Sequence, residues 1–226
     1  MTRRILQALA FRFACYAVMI GLCLLAERRP APHLPDLLID RIPYQGWVDR
    51  WNYWLLLGCY LPLSVAFLVR DPERFCRYTI TAGLLSLLRG LCVPLTGLGP
   101  VRGPDVNAGM PLSAIPGALL DLLNPVSVLL RDTPHLYLTK DLFFSGHTSA
   151  TFLLLLYLLR DRSLRVLALL GHVLVVASLF LAHLHYTIDV VGAYAIAFSL
   201  YVLREGWEGA GGGAPVRPAA ARLASA

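Results

Sequence analysis

Charge is scarce in this chain. Only 15% of its 226 residues are Asp, Glu, Lys or Arg, while 57% are hydrophobic and the mean hydropathy is +0.62. A soluble domain carries roughly a quarter charged residues, so an ordinary water-soluble enzyme is excluded. Lysine is almost missing, with Lys140 the single lysine among twenty basic residues. Cysteine is sparse as well. Cys15, Cys23, Cys59, Cys76 and Cys92 lie in or beside apolar runs, and no two have the spacing of metal ligands, so they read as small buried hydrophobes. No metal site and no cofactor is expected. No aromatic-basic pattern accompanies the net charge of +6, which excludes nucleic acid as a partner and points to anchoring at a membrane face. No internal repeat is present.

What the chain does have is long apolar runs, several of them near the ~20 residues that cross hydrocarbon. They fall at Ile5–Ala26, Trp51–Val69, Tyr78–Leu98, Leu142–Leu159, Leu164–Leu181 and Thr187–Leu203. The expected fold class is all-α, a polytopic membrane protein with about six transmembrane helices in one bundle over residues 1–208. The first run follows the basic start Arg3-Arg4, but it is long for a signal core, contains Arg12 and lacks a clear small-residue cleavage site, so it reads as a retained span. A further stretch, Pro111 to Leu130, is interrupted by Pro116, Asp121, Asn124 and Pro125 and reads as interfacial or re-entrant. The Gly/Ala/Pro-rich tail 209–226 reads as disordered.

Arginine distribution sets the orientation. With the N-terminus inside, eleven basic residues fall on inner segments: Arg3, Arg4, Arg70, Arg74, Arg77, Arg160, Arg162, Arg165, Arg204, Arg217 and Arg222. Seven fall on longer outer loops, so both termini are expected on the cytoplasmic side.

Two polar segments then share the outer face. Lys140-Asp141-Leu142-Phe143-Phe144-Ser145-Gly146-His147-Thr148 enters the fourth span, and His183-Leu184-His185-Tyr186-Thr187-Ile188-Asp189 joins the fifth to the sixth. Only two crossings separate them, so His147 and His185 can face one site. Asp189 lies four residues after His185. If the last helix starts near His185 the two share a face. The carboxylate then fixes the imidazole tautomer and leaves the other nitrogen free to attack. His147 is the second proton-transfer group. Ser145 and Gly146, at a helix start, suit phosphate oxygens. Ionisable groups at or inside a bilayer are costly and usually functional. Arg89, in an apolar run, is read either as a phosphate clamp or as a side chain that pairs with Asp121 or snorkels. Arg12 and His172 read as structural, and His183 as a neighbour of the site or a bystander.

At these residues the chain resembles the sphingomyelin synthase family, a branch of the type 2 phosphatidic acid phosphatase superfamily. The resemblance runs from about residue 32 to 201. It follows four motifs: Leu34-Pro35-Asp36; Arg89 to Pro100; Asp141 with Ser145-Gly146-His147-Thr148; and His185-Tyr186-Thr187-Ile188-Asp189-Val190-Val191 with Ala193-Tyr194. The resemblance implies transfer of a phospho-head group from a glycerophospholipid to a ceramide or similar lipid alcohol. His185 would be the nucleophile, Asp189 its orienting partner, and His147 the group that protonates the leaving oxygen. Arg89, Asp141, Ser145, Gly146 and Tyr186 would be substrate-binding. Thr139-Lys140 stands where animal members often have Cys-Gly, and Leu184 where they often have an acidic residue. The superfamily's phosphatases usually carry Ser-Arg six residues before the nucleophile; here that pair is Ser178-Leu179. The missing arginine favours transfer of a singly charged diester, with a lipid phosphatase or phosphodiester hydrolase as the alternative. The expected partners are the donor lipid, the lipid alcohol and the bilayer. Homo-oligomerisation, the head group and the acceptor are left open.

Overall fold

The computed structural model describes residues 1–131 and 133–206. The expectation of a disordered tail at 209–226 lies outside the described residues. The fold is all-helical. Its long helices are α1 (Thr2–Glu27), α2 (Gly46–Arg70), α3 (Pro72–Thr96), then after the short α4 (Ile115–Leu123), α5 (Pro125–Arg131) and α6 (Thr133–Tyr137), α7 (Gly146–Leu158), α8 (Arg162–Leu181) and α9 (Thr187–Glu205). Five of these, α1, α2, α3, α8 and α9, are long and apolar enough to cross a membrane.

Helix boundaries follow local chemistry. The Asp71 side chain accepts from the Arg74 N–H at 3.0 Å and Pro72 opens α3, a favourable pairing of cap and first-turn proline. The Asp161 carboxylate accepts from the N–H groups of Ser163 and Leu164 at the start of α8. Arg70, ending α2, donates to the same carboxylate at 2.6 Å. Asp161 is held well below the ordinary carboxylate range by the Leu164 N–H first, then by Arg70.

α1 packs along α3 and also touches α4, while α7 is surrounded by α3, α8 and α9. Ile20, Cys23 and Leu24 of α1 are buried with Val93 of α3 and with Ala118 and Leu122 of α4. α1 is therefore a wall of the bundle. A second core joins Phe67, Phe75, Tyr78, Leu153, Leu154, Tyr157 and Tyr201 at the end that holds both α1's start and α9's finish.

The fourth expected span differs from its reading. Leu142–Leu159 becomes a helix of only 13 residues, about 20 Å against a hydrocarbon thickness of ~30 Å. Residues 141–145 are irregular instead. Two of their carbonyls are taken up by one buried side chain: Arg89 Nε donates to the Phe144 carbonyl at 2.7 Å and Nη2 to that of Asp141 at 2.8 Å. The Pro111–Leu130 stretch also forms no straight span. Leu112–Leu123 and Pro125–Arg131 meet at 89°, with the break at Asn124, where Pro125 disfavours helical backbone in the residue before it.

Candidate active site

The start of α7, the α8–α9 connection and the inner faces of α1, α2 and α3 enclose one cavity of about 680 Å³. Its wall includes Arg89, Asp141, Gly146, His147 and His185. The two histidine rings lie 6.2 Å apart, centroid to centroid, at 66°. The fold thus brings together the two segments that sequence reasoning paired.

His185 sits two residues before α9, not on it. The relation to Asp189 is consequently not a helix-face contact. Asp189 occupies the third position of α9 and bends back over its N-terminus, where Oδ2 accepts from the Tyr186 N–H at 2.9 Å and faces His185 Nδ1 at 3.3 Å. The same oxygen therefore anchors both the turn and the ring. With Nδ1 turned to the carboxylate, Nε2 is the nitrogen left for chemistry. Oδ1 of Asp189 is buried and unpartnered among the described residues, which leaves carboxylate charge uncommitted beside the imidazole. The two loops are stitched directly as well, since the Ser145 N–H donates to the Asp189 carbonyl at 3.0 Å.

Arg89 pairs with Asp141, not Asp121. Nη1 lies 2.7 Å from Asp141 Oδ1, and Nε and Nη2 take the two loop carbonyls already given. Buried and locked in this way, Arg89 holds the 141–145 loop in shape. Gly146 lies against it: a Cβ there would fall 3.1 Å from the guanidinium carbon. Gly192 of α9 leaves room for the Phe143 ring, which a Cβ would meet at 2.5 Å.

Two expected substrate contacts take other places. The Ser145 hydroxyl is fully buried and caps α7, accepting from the Thr148 N–H at 3.3 Å. Tyr186 is fully buried behind the wall. Its hydroxyl accepts from the Leu34 N–H at 3.0 Å and contacts the carbonyls of Gly99 and Pro100. A tyrosine next to His185 invites a substrate role, but here the ring's length carries its hydroxyl to loops from the other two motifs. Asp36 completes that tie. Its carboxylate accepts from the Thr187 N–H at 2.5 Å and the Thr187 hydroxyl at 2.8 Å. Burial opposes ionisation of Asp36, but these bonds and those from Ile39 and Leu38 outweigh it and hold the carboxyl below its ordinary value.

His172 joins Thr151 of α7 to Tyr194 of α9, each at 2.8 Å, a structural role as expected. Arg12 donates to the Tyr60 hydroxyl at 2.5 Å. His183 reaches the wall, with Nε2 2.8 Å from the Ile42 carbonyl.

Sequence reasoning missed the α2 side of the cavity. Asp49, Asn52 and Tyr53 all line it, and the Tyr53 ring meets the His147 ring edge-on at 6.4 Å. The available signal was their i, i+3, i+4 spacing at the polar start of an apolar run, which puts all three on one helix face. Among the described residues no three His, Cys, Asp or Glu side chains converge as metal ligands.

Residues 140–205 match the family model described as PAP2 superfamily C-terminal. That segment contains His147, His185 and Asp189, and the match supports the phosphatidic acid phosphatase superfamily, whose members generally act on phosphate esters. No curated protein matches the chain. Fold and match together support a class: an integral, multi-pass membrane protein with a function of lipid phosphatase or phosphotransferase type.

Proposed function

We propose that the protein is a membrane lipid phosphotransferase that moves a phospho-head group from a glycerophospholipid to a ceramide or similar lipid alcohol. The observation that carries the reading is the paired histidines of one cavity, 6.2 Å between ring centroids, one of them backed by Asp189. His185 Nε2 attacks phosphorus, and the bond to the diacylglycerol oxygen breaks. That oxygen leaves with the electron pair and takes a proton from His147. The product is a phosphohistidine. In the second half-reaction His147 removes the proton of the acceptor hydroxyl, whose oxygen attacks phosphorus and frees His185. The separation suits this in-line geometry, with ~3–3.5 Å from nucleophile to phosphorus and a hydrogen bond of ~2.6–3.2 Å to the leaving oxygen.

Transfer is favoured over hydrolysis because Arg89, the buried cation packed against Gly146, is already spent. Arg89 is neutralised by Asp141 and occupied by two carbonyls. A phosphomonoester carries nearly two charges at neutral pH, a head-group diester only one, and the smaller anion needs less positive compensation. Release of diacylglycerol from labelled phospholipid, measured with and without a panel of lipid alcohols, separates the two. Transfer requires product formation to depend on the alcohol; equal release in water alone would establish the hydrolase.

The active end is assigned to the non-cytoplasmic face. Nine of the inner arginines named above are described, and they cluster at the opposite end or its helix termini. Trp47, Trp51 and Trp54 stand exposed on the first turns of α2, as anchors at a membrane–water interface do. They support a position of the Asp49–Tyr53 level of the cavity at head-group depth.

A further inference from the structure

Asn52 is 2% exposed, lines the reaction cavity, and has neither its amide N–H₂ nor its carbonyl oxygen hydrogen-bonded by any described residue. A buried amide left unpaired on both sides is costly, so its retention beside Leu56 and Leu57, on a helix face shared with Asp49 and Tyr53, calls for a ligand. We infer that Asn52 is the head-group-selecting residue of this site, and that it accepts a donor head group bearing N–H or O–H hydrogen-bond donors rather than a trimethylammonium group. This rests on the lipid phosphotransferase reading above and names the substrate class for it.

Position supports the assignment. Asn52 precedes Tyr53, which abuts His147, and it shares the helix level of the exposed Trp51 and Trp54. A group on the far side of the transferring phosphorus would lie there. Asp49, one turn earlier on the same face, adds a carboxylate to the wall. It already accepts from the Tyr44 hydroxyl at 2.8 Å and contacts His135 at 2.9 Å, and a carboxylate has about four acceptor positions.

The chemistry then decides between head groups. An amide offers one acceptor oxygen and two N–H donors. A primary ammonium or a hydroxyl satisfies the oxygen, and a hydroxyl can satisfy both. Trimethylammonium has no donor and no acceptor, so it would bury Asn52 unpaired. The usual site for such a cation is a set of open aromatic faces. Here cations of the protein itself already sit at ring faces beside the cavity: Arg12 lies 5.6 Å from the centroid of Tyr60, and Arg102 lies 3.5 Å from that of Tyr44.

The test uses the full chain in detergent with short-chain phosphatidylethanolamine, phosphatidylglycerol and phosphatidylcholine. Binding is read by native mass spectrometry in the His185→Ala background, where no turnover consumes the lipid. Head-group transfer is read separately on the protein with His185 intact. The expected result is at least about tenfold tighter retention of the ethanolamine or glycerol lipid than of the choline lipid, since one hydrogen bond to a charged or buried group is worth about that factor. Asn52→Leu should bring that ratio to within about threefold. Which of the two donor-bearing lipids is held more tightly tells ammonium from hydroxyl. Equal or tighter retention of the choline lipid overturns the inference while leaving the phosphotransferase reading intact, provided that lipid is turned over. An Asn52→Leu protein that is more heat-stable with an unchanged ratio also overturns it, because Asn52 would then be a structural defect only. Selective binding without turnover of any lipid would uphold the head-group site and overturn the proposed reaction. If Asn52→Leu does not fold, the ratio measured with Asn52 intact still decides.

Discussion

Replacing Asp189 by asparagine separates charge from geometry in this site. One oxygen, Oδ2, serves both the Tyr186 N–H at 2.9 Å and His185 Nδ1 at 3.3 Å. The Tyr186 N–H can only donate, so it selects the orientation of the new amide that keeps oxygen in the Oδ2 place. The imidazole then keeps its tautomer, and the amide N–H₂ falls where Oδ1 already lacks a partner. Only the negative charge is lost. A charge-assisted bond is worth about 1.5–3 kcal/mol and a neutral one about 0.5–1.5, so the difference is about 1–2 kcal/mol. This predicts phosphoenzyme formation slowed by about 5- to 30-fold, well short of the ~10⁴ that accompanies a wrong tautomer in serine proteases. Asp189→Ala removes the anchor as well and should cost far more. The assay is single-turnover formation of labelled phosphoenzyme by each purified variant, with unfolding followed in parallel. A folded Asp189→Asn protein as dead as Asp189→Ala would refute the argument that Tyr186 fixes the orientation.

Four further outcomes follow from the same geometry. Asp141→Ala should lower the melting temperature and abolish transfer, because Arg89 is left buried and unpaired at a cost of about 3–5 kcal/mol; a stable, active variant would show the pair to be dispensable. Gly146→Ala should lose activity with about 1–3 kcal/mol of stability, since the guanidinium 3.1 Å from its Cβ is held by three acceptors; an unchanged enzyme would mean Arg89 can give way. Asp36 has a lowered pKa, so its contribution is fully present above the unfolded carboxyl value of 3.8 and fades as pH falls through the lower folded value; Asp36→Asn should destabilise at pH 7 and remove that acid-limb dependence in thermal melts, and parallel melting curves at all pH values would contradict it. Activity should survive chelation by EDTA, since every step is assigned to protein groups; loss restored by one divalent metal would mean the site is misread.

The sequence made the paired histidines visible because crossing count, not detailed packing, decides which loops share a face. It showed Asp189 as the partner of His185 for a related reason: a spacing of four works both on a helix and across its cap. Other features depended on tertiary contacts that no local pattern encodes. The apolar content of Leu142–Leu159 suggested a full span, yet Arg89, distant in sequence, holds its first turn open. Tyr186 and Ser145 sat close to His185 and His147 in the sequence and looked like ligands of the substrate, but their hydroxyls are consumed by backbone groups of Leu34, Gly99 and Pro100 and by the Thr148 N–H. Asn52 escaped notice because a lone amide at the edge of an apolar run is ordinary until burial shows it to be unpartnered.

The central claim, that His185 carries the phosphoryl group, is tested most directly by trapping it. Purified protein is mixed with phospholipid labelled in the phosphate, quenched under alkaline conditions that preserve phosphohistidine, and mapped by mass spectrometry. The account predicts label on His185, discharged by added lipid alcohol, absent in His185→Ala and strongly reduced in His147→Ala. Transfer at a near-normal rate by folded His185→Ala, or label confined to another residue, would contradict it.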